Sequence, residues 1–357
     1  MKRPSARAAV LGLLLVWSPV TWGLVTFVSP ATFERVYARD LGPRIAQAIG
    51  RVTGVVPFSV AQALGLPLAV GLVVVLGAGL VRTGRLQRLR RWGPVLLAAA
   101  SVSYGTGMAV WGFNYRREPI LGRFAFPAGP STRAEVAALG AWAVEAMNEV
   151  RTHVLEDEAG VFRLPAGVAD AFARAVEAYG RAGVDRPWLA GDYAPPKPIW
   201  GSELASWIGI GGIYVPYTAE PHVNVAAPVS GLPFTACHEL AHQRSVARED
   251  EANFVGFLVA WEHGDADFRY SAMLRAAAYV VSAWQQFDGE ASWAAWEGRS
   301  AAVERDLVVQ RAWYAAHESP IKDASEKVNH AYLKSNGVRD GTESYGRMVD
   351  LLVAWRR

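Results

Sequence analysis

The sequence predicts a mainly α-helical protein, in which three N-terminal transmembrane helices precede an α+β domain whose small sheet lies beside an HExxH-bearing helix. Three observations predict this fold class. Hydrophobic residues make up 52% of the 357 and charged residues only 19%, against a usual charged share of about 25%. The long uncharged runs all lie in the first third of the chain, and the HExxH motif lies in the remainder. The single cysteine excludes a disulfide framework and a CxxC zinc module.

Three uncharged runs predict membrane spans at about residues 8–29, 58–81 and 92–113. The runs themselves cover residues 8–33, 52–81 and 92–115, so they are 26, 30 and 24 residues long. About 20 residues cross a bilayer. The third run is the most polar, so two spans and a buried helix are the alternative. No A-x-A-like cleavage site follows the first run, which favours an uncleaved signal anchor over a signal peptide.

The basic residues predict the topology. Residues 1–112 contain 12 Lys and Arg but only 2 Asp and Glu. Five of the arginines lie within 82–91, between the second and third spans, and basic residues mark the cytoplasmic side. We therefore expect a multi-pass protein of a bacterial inner membrane, with a membrane domain at 1–115 and an extracytoplasmic domain at 116–357. The lipid bilayer is the expected partner, and nucleic acid is not.

Apolar residues recur at helical spacing over residues 33–49, with arginines on the other faces. This pattern predicts an amphipathic helix. The helix lies either on the outer membrane interface or against the extracytoplasmic domain, and the sequence leaves both interpretations open.

The extracytoplasmic domain has the composition of a soluble protein and a largely helical pattern. Ser131 or Thr132, with Glu135, forms a capping signal for its first helix. Residues 208–225 are rich in β-branched residues and glycine, which predicts strand. The predicted helices cover 131–154, 164–182, 233–248, 268–287, 290–316, 323–335 and 341–355.

The HExxH motif consists of His238, Glu239 and His242. Residues four apart share a face of a helix, so both imidazoles can point at one ion, and neutral imidazole is a good ligand of Zn²⁺. Glu239 lies one step round the helix, where its carboxylate reaches a water at the open position of the metal. Zinc lowers the pKa of such a water to about 7, and the carboxylate then serves as general base. The motif therefore predicts a catalytic zinc site.

The third protein ligand is expected just downstream of the motif. Glu249 and Asn253 are four residues apart and share a face, so Glu249 would bind zinc while the Asn253 amide accepts the second ring N–H of His238. Glu251 points the other way and is the alternative ligand. Only six residues separate His242 from Glu249. They include no glycine or proline, although the helix must end and the chain must turn back there.

The motif segment resembles an uncharacterised bacterial family of membrane-anchored proteins, classed as a domain of unknown function. HELAHQ followed by EDEANF carries the likeness, which covers most of the chain and implies no substrate. The likeness extends to PFSV (57–60), WGFNYR (111–116), GGIYVPYT (211–218) and LKSNG…SYGRMVDLL (333–352).

More widely, the motif is similar to that of the gluzincins, zinc peptidases that include thermolysin and in which HExxH is followed by ExxxD. The resemblance implies a zincin-like fold. It also implies that His238, His242 and Glu249 bind zinc and that Glu239 is the base. Asn253 stands where the gluzincins have Asp, and an amide orients a histidine more weakly than a carboxylate does.

Gluzincins also place an edge strand before this helix, where an extended substrate binds. Gly212–Tyr217 and Pro221–Val225 are the two candidate strands. The oxyanion of the transition state needs a further donor, and His330, Tyr345 and Arg347 in the C-terminal helices are candidates.

The sequence thus predicts a membrane-anchored, zinc-dependent metallohydrolase, most simply a peptidase that acts on peptide or protein substrates in the periplasm or outside the cell. A non-catalytic, zinc-stabilised module for envelope binding or assembly is the alternative, although a structural site has no need of Glu239. An intramembrane protease is disfavoured, because the motif lies over 120 residues past the third uncharged run.

Overall fold

The computed structural model describes residues 6–82, 85–127, 129–335 and 347–357. The architecture is mainly helical, with two small sheets. The helices are α1 (Ala6–Phe27), α2 (Pro30–Thr32), α3 (Gly42–Thr53), α4 (Val60–Arg82), α5 (Arg85–Val110), α6 (Arg133–Arg151), α7 (Gly167–Asp185), α8 (Ser202–Trp207), α9 (Leu232–Gln243), α10 (Glu249–Trp261), α11 (Ala266–Gln285), α12 (Gly289–Glu297), α13 (Ala301–Ala316), α14 (Pro320–Ser335) and α15 (Met348–Arg356). The strands are β1 (Leu155–Glu156), β2 (Phe162–Arg163), β3 (Lys197–Pro198), β4 (Gly212–Val215) and β5 (Glu220–Val223).

Helices α1 and α5 pack against each other in the N-terminal region. The hydroxyl oxygens of Ser18 and Ser101 lie 2.9 Å apart across this contact. Gly105 allows close approach, because a Cβ atom there would overlap the indole of Trp17. Small residues and hydroxyl hydrogen bonds at a contact are typical of helix pairs in lipid.

Few of the N-terminal helices meet the requirements of a membrane span. Trp92–Val110, the second part of α5, is long and apolar enough to cross a membrane. Leu14–Phe27 and Pro30–Thr53 qualify only when taken together, with a bend of 108° between them, and Val60–Gly71 is apolar but shorter. The described residues thus support one or two membrane-crossing helices, not the three predicted.

Residues 33–53 pack against the domain formed by residues 116–357, called the outer domain below. The segment consists of a π-helix, Phe33–Leu41, and α3. The Glu34 carboxylate pairs with Arg123 of that domain at 2.8 Å. Further along, the Thr53 hydroxyl donates to the main-chain carbonyl of Thr218 at 2.8 Å. Of the two interpretations left open for the amphipathic segment, these contacts favour packing on the domain.

The start of α4 is bound to the sheet of the outer domain. The Glu220 carboxylate of β5 accepts the N–H groups of Val60 at 3.0 Å and of Ala61 at 2.7 Å. It therefore caps the helix at the end where the helix dipole is positive. Lys197 of β3 donates to the same carboxylate at 2.6 Å.

Helices α6, α9, α10 and α11 form the centre of the outer domain. The predicted capping box of Thr132 and Glu135 is confirmed at the start of α6. The predicted helix 290–316 is two helices, because the chain breaks after Gly298 and Ser300 caps α13. The completely buried core side chains include Met147, Leu240, Phe254, Phe257 and Met273.

The predicted strand region 208–225 folds as a hairpin. Strands β4 and β5 pair antiparallel, with Ile213 opposite His222, and residues 216–219 form the turn. β3 joins the other side of β5 in parallel, so the order is β3-β5-β4. β4 is therefore an edge strand, while β5 is central, and β4 packs against α9.

Candidate metal centre

The two histidines of the HExxH motif face each other on α9. The helix begins with Pro233 in its first turn, where a missing N–H costs nothing. The Nε2 atoms of His238 and His242 are 3.1 Å apart, and the two rings meet edge to face with centroids 4.6 Å apart. Two ring nitrogens at this distance repel unless they share a proton or a cation.

Helix α9 ends in a Schellman motif, which turns the chain back within the short connection after the motif. The N–H of Val246 donates to the Ala241 carbonyl at 3.2 Å, and the N–H of Ser245 donates to the His242 carbonyl at 2.9 Å. Ser245 has a φ of 67°, a conformation that glycine usually adopts at this position. Arg117, in the linker after α5, donates to the Ser245 carbonyl at 2.8 Å. A serine thus takes the place of the glycine whose absence made the connection hard to predict.

Glu249, the first residue of α10, completes a cluster with the two histidines. Its carboxylate oxygens lie 3.4 Å from Nε2 of His238 and 3.5 Å from Nε2 of His242. The three ligand atoms all lie within 4.8 Å of one another. A tetrahedral site with bonds of about 2.0–2.1 Å separates its ligand atoms by about 3.3–3.4 Å. The observed separations therefore fit an ion of the size of Zn²⁺.

Glu239 lies beside the cluster with one oxygen free. Its Oε1 is 4.0 Å from Nε2 of His238, and its Oε2 is buried without a hydrogen-bond partner. The N–H of Tyr214 on β4 donates to this carboxylate. Gly212 provides the space, because a Cβ atom there would overlap Oε1. Burial raises the pKa of Glu239 to about 8, since a buried carboxylate binds a proton readily when no cation is near.

The charges of the cluster favour a cation at its centre. Burial acts to lower the pKa of His242, but the carboxylates of Glu249 and Glu239 raise it to about 9. Burial acts to raise the pKa of Glu249, yet the two imidazoles hold the pKa of its carboxyl well below the usual range. The pKa of His238 is lowered, chiefly by burial. The cluster therefore stabilises positive charge, which a divalent ion would supply in place of protons.

Main-chain and aromatic groups orient His242. Its Nδ1 donates to the carbonyl of Val246 at 2.7 Å, which leaves the Nε2 lone pair for an ion. The Trp111 ring meets the imidazole edge to face, with centroids 5.7 Å apart. Asn253 lines the same cleft, but His238 Nδ1 and Asn253 Nδ2 are both buried without a partner. The structure thus lacks the predicted hydrogen bond between these two residues.

Glu251, the alternative ligand, lies away from the cluster. Its carboxylate accepts the N–H of Ile120 at 2.8 Å and pairs with Arg117 at 3.4 Å. It therefore binds the linker that connects α5 to the outer domain. The spacing to Asn253 favoured Glu249 from the sequence, and the contacts of Glu251 agree with that preference.

Two of the three candidate oxyanion donors lie among the described residues, and neither of these two lines the cleft. Arg347 pairs with Asp250 at 3.1 Å. His330 lies on α14, and its neighbours Val328 and Asn329 line the cleft, although His330 itself does not. Tyr345 falls outside the described residues.

One comparison with known proteins gives a match. A family described as protein of unknown function (DUF3810) covers residues 37–353. The chain belongs to the DUF3810 family. No curated protein and no solved structure matches it. The family description assigns no reaction and no metal, so the similarity to gluzincins rests on the motif alone.

The cluster of this DUF3810 chain opens into a cleft of about 1050 Å³. Its walls come from β4 and the loop before it, from α9, α10, α11 and α14, and from the end of α5 with the residues that follow it. A second cavity of about 440 Å³ lies next to it and shares Phe234, Thr235 and Arg275.

Arg275 and Tyr279 are cleft residues that the sequence analysis did not identify. They are four residues apart on α11 and both line the cleft. The guanidinium of Arg275 lies over the Phe234 ring at 5.4 Å, and no carboxylate of the described residues forms an ion pair with it. Its charge also acts to lower the pKa of His238. An arginine in the alanine-rich stretch of the predicted helix 268–287 was the available signal.

Proposed function

We propose that the protein is a membrane-anchored, zinc-dependent metallohydrolase, most simply a peptidase. One observation carries the proposal. Two imidazole nitrogens and a carboxylate meet at separations of 3.1–3.5 Å, and the unpartnered oxygen of Glu239 lies beside them. His238, His242 and Glu249 would hold Zn²⁺, which leaves one position of a tetrahedral site open, as catalytic zinc sites do.

The bound ion would supply a Lewis acid and lower the pKa of a coordinated water. The residues of the chain perform the other tasks. Glu239 accepts the proton of the attacking water on its carboxylate and passes it to the leaving amine. Arg275 and Tyr279 donate to the oxygen on which negative charge develops. The free edge of β4 binds an extended substrate by strand addition.

The membrane anchor is supported by the N-terminal region. Trp92–Val110 is long and apolar enough to cross a bilayer, and many large apolar side chains of α1, α4 and α5 are exposed. Such a surface is typical of contact with lipid. Residues 85–91, which include four arginines, precede the span. From the positive-inside rule we infer that the outer domain, with the cluster, lies outside the cytoplasm of a bacterial inner membrane.

Metal content and hydrolysis of the full-length protein test this function together. We expect the wild type to bind one zinc ion and to cleave members of a peptide pool, as read by mass spectrometry. Glu239→Gln should keep the zinc and abolish cleavage, whereas His238→Ala should lose the zinc. Zinc binding without Glu239-dependent cleavage would favour the alternative, a zinc-stabilised envelope module. Absence of zinc under metal-replete conditions would overturn both.

A further inference from the structure

The cleft adjoins the helix that crosses the membrane. Trp111 follows α5 directly, and its ring contacts the imidazole of His242. Tyr104, Gly107 and Met108 of α5 itself line the cleft. A span of about 20 residues fills the hydrocarbon core, so the end of Trp92–Val110 lies near the membrane surface. The metal centre is therefore at the surface of the bilayer rather than far above it.

The edge strand extends from the metal centre towards the membrane. Gly212, at one end of β4, lies against Glu239. The chain then continues to Tyr217, whose hydroxyl donates to the main-chain carbonyl of Ser103 at 2.8 Å. Ser103 is seven residues before Val110 in α5, which is about 10 Å deeper along the helix axis. A substrate paired with the edge of β4 would follow the same path.

Two tyrosines, Tyr104 and Tyr217, line this side of the cleft. Tyr104 and Tyr217 are each about half exposed. Tryptophan and tyrosine are enriched at the membrane–water interface. Helix α14 contributes polar residues to the cleft, namely Ser325, Glu326 and Asn329.

We propose that the substrate is a polypeptide anchored in the same membrane, cut on its outer side a few residues from the end of its own membrane helix. This inference rests on the proposed hydrolase function. A chain that emerges beside α5 can pair with β4 at once, pass the metal centre and leave along α14. Strand β4, from Gly212 to Val215, covers about 10 Å, and the turn that follows carries the chain on to Tyr217, so the scissile bond lies roughly five to ten residues from the substrate's helix.

The test compares one set of sequences with and without a membrane anchor. Full-length protein is reconstituted in vesicles of phosphatidylethanolamine and phosphatidylglycerol. The anchored pool has a Leu/Ala helix of about 20 residues, followed by a randomised outer segment of about the same length. The soluble pool has the same segments without the helix, and mass spectrometry records rates and cleavage positions. Glu239→Gln is the blank for both pools.

We expect the anchored pool to be cut at least about tenfold faster, as confinement raises the effective concentration, with cleavage positions clustered near the helix. Tyr104→Ala, on the wall of the cleft, should lower the ratio of anchored to soluble cleavage severalfold. Leu97→Ala, an exposed residue deeper in α5 that does not line the cleft, should leave that ratio unchanged.

The possible failures are distinguishable. Glu239-dependent cleavage of both pools at equal rates and at scattered positions would overturn the membrane-substrate inference and leave the hydrolase function standing. Equal effects of Tyr104→Ala on both pools would also contradict it, because the residue would then act on catalysis in general. No Glu239-dependent cleavage of either pool would overturn the proposed function and this inference with it.

Discussion

The Nδ1 atom of His242 donates to the main-chain carbonyl of Val246 across 2.7 Å. Val246 is also the residue whose N–H closes the Schellman motif at the end of α9. The cap that ends the helix therefore also fixes the orientation and the tautomer of a proposed metal ligand. The stability of the turn and the geometry of the site depend on the same few residues.

Ser245 holds this turn in the left-handed region, with a φ of 67°. A non-glycine residue there costs about 1–2 kcal/mol. We expect Ser245→Gly to raise the free energy of unfolding by up to about 1 kcal/mol and to keep the zinc content. Ser245→Val introduces a β-branched side chain, so it should lower both the free energy of unfolding and the zinc content. Thermal unfolding and metal analysis of the full chain in detergent check this, and equal stability of the two variants would contradict it.

Gly212 leaves the space that the Glu239 side chain occupies. A Cβ atom at position 212 would overlap the carboxylate, whereas one at Gly211 meets nothing within 4 Å. We expect Gly212→Ala to displace the general base and to lower turnover at least about a hundredfold, the lower range for loss of such a group, with zinc retained. Gly211→Ala is the matched control and should cleave as the wild type does. Similar rates for the two variants would show that Glu239 does not need this space.

The sequence predicts well the parts of the site that lie within one helix. The i, i+4 spacing of His238 and His242 places both rings on one face of α9, wherever that helix packs. The capping box at Thr132 and Glu135 is equally local, and it is present as predicted. The left-handed Ser245 was not predictable, because its conformation is supported by Arg117, more than a hundred residues earlier in the chain.

Features that depend on tertiary packing were missed or overestimated. The charge-free runs predict three spans, whereas the described residues support one or two membrane-crossing helices. Arg275 belongs to a helix whose pattern indicates core, and only the packing of α11 beside α9 places it in the cleft. Hydrophobic periodicity predicts which residues are buried. It does not predict which polar residues of such a helix line a cavity together.

Glu249 and Glu251 should differ sharply in their effect on the metal. Glu249 lies 3.4 Å from His238 Nε2, whereas Glu251 pairs with Arg117 in the linker. We expect Glu249→Gln to reduce zinc binding by at least about tenfold, the lower range for weakened coordination. Glu251→Gln should keep the zinc but lower the unfolding temperature, since it leaves the buried Arg117 without its partner. Loss of zinc from the Glu251 variant alone would reverse the assignment.

Glu220 should make the stability of the protein depend on acid pH. Burial acts to raise the pKa of Glu220, but Lys197 and the N–H groups of Val60 and Ala61 lower it below its ordinary value. A carboxyl with a lowered pKa contributes stability above its unfolded pKa of about 4.3, and this is lost as the pH falls through its folded value.

The check is the unfolding temperature of the wild type and Glu220→Gln as the pH is lowered from about 7 to about 3. The Glu220→Gln variant should be less stable than the wild type at neutral pH, and its unfolding temperature should fall less steeply as the pH is lowered. Glu318→Gln, a substitution of an exposed carboxylate, is the control and should follow the wild type. Parallel curves for the wild type and the Glu220 variant would show that this carboxyl does not couple α4 to the sheet.

Arg275 is expected to act on the transition state and not on the metal. Its guanidinium lines the cleft, and no carboxylate of the described residues neutralises it, so it is available to a developing oxyanion. We expect Arg275→Met to lower turnover about a hundredfold, as the loss of one oxyanion donor does, while zinc content and folding remain. Arg269→Met is the matched control on the same helix, because Arg269 stacks on Trp261 at 4.4 Å and does not line the cleft. A loss of activity in both variants would indicate a general effect on α11. A loss confined to Arg275→Met, with KM little changed, would be the signature of a group that binds the transition state more tightly than the substrate.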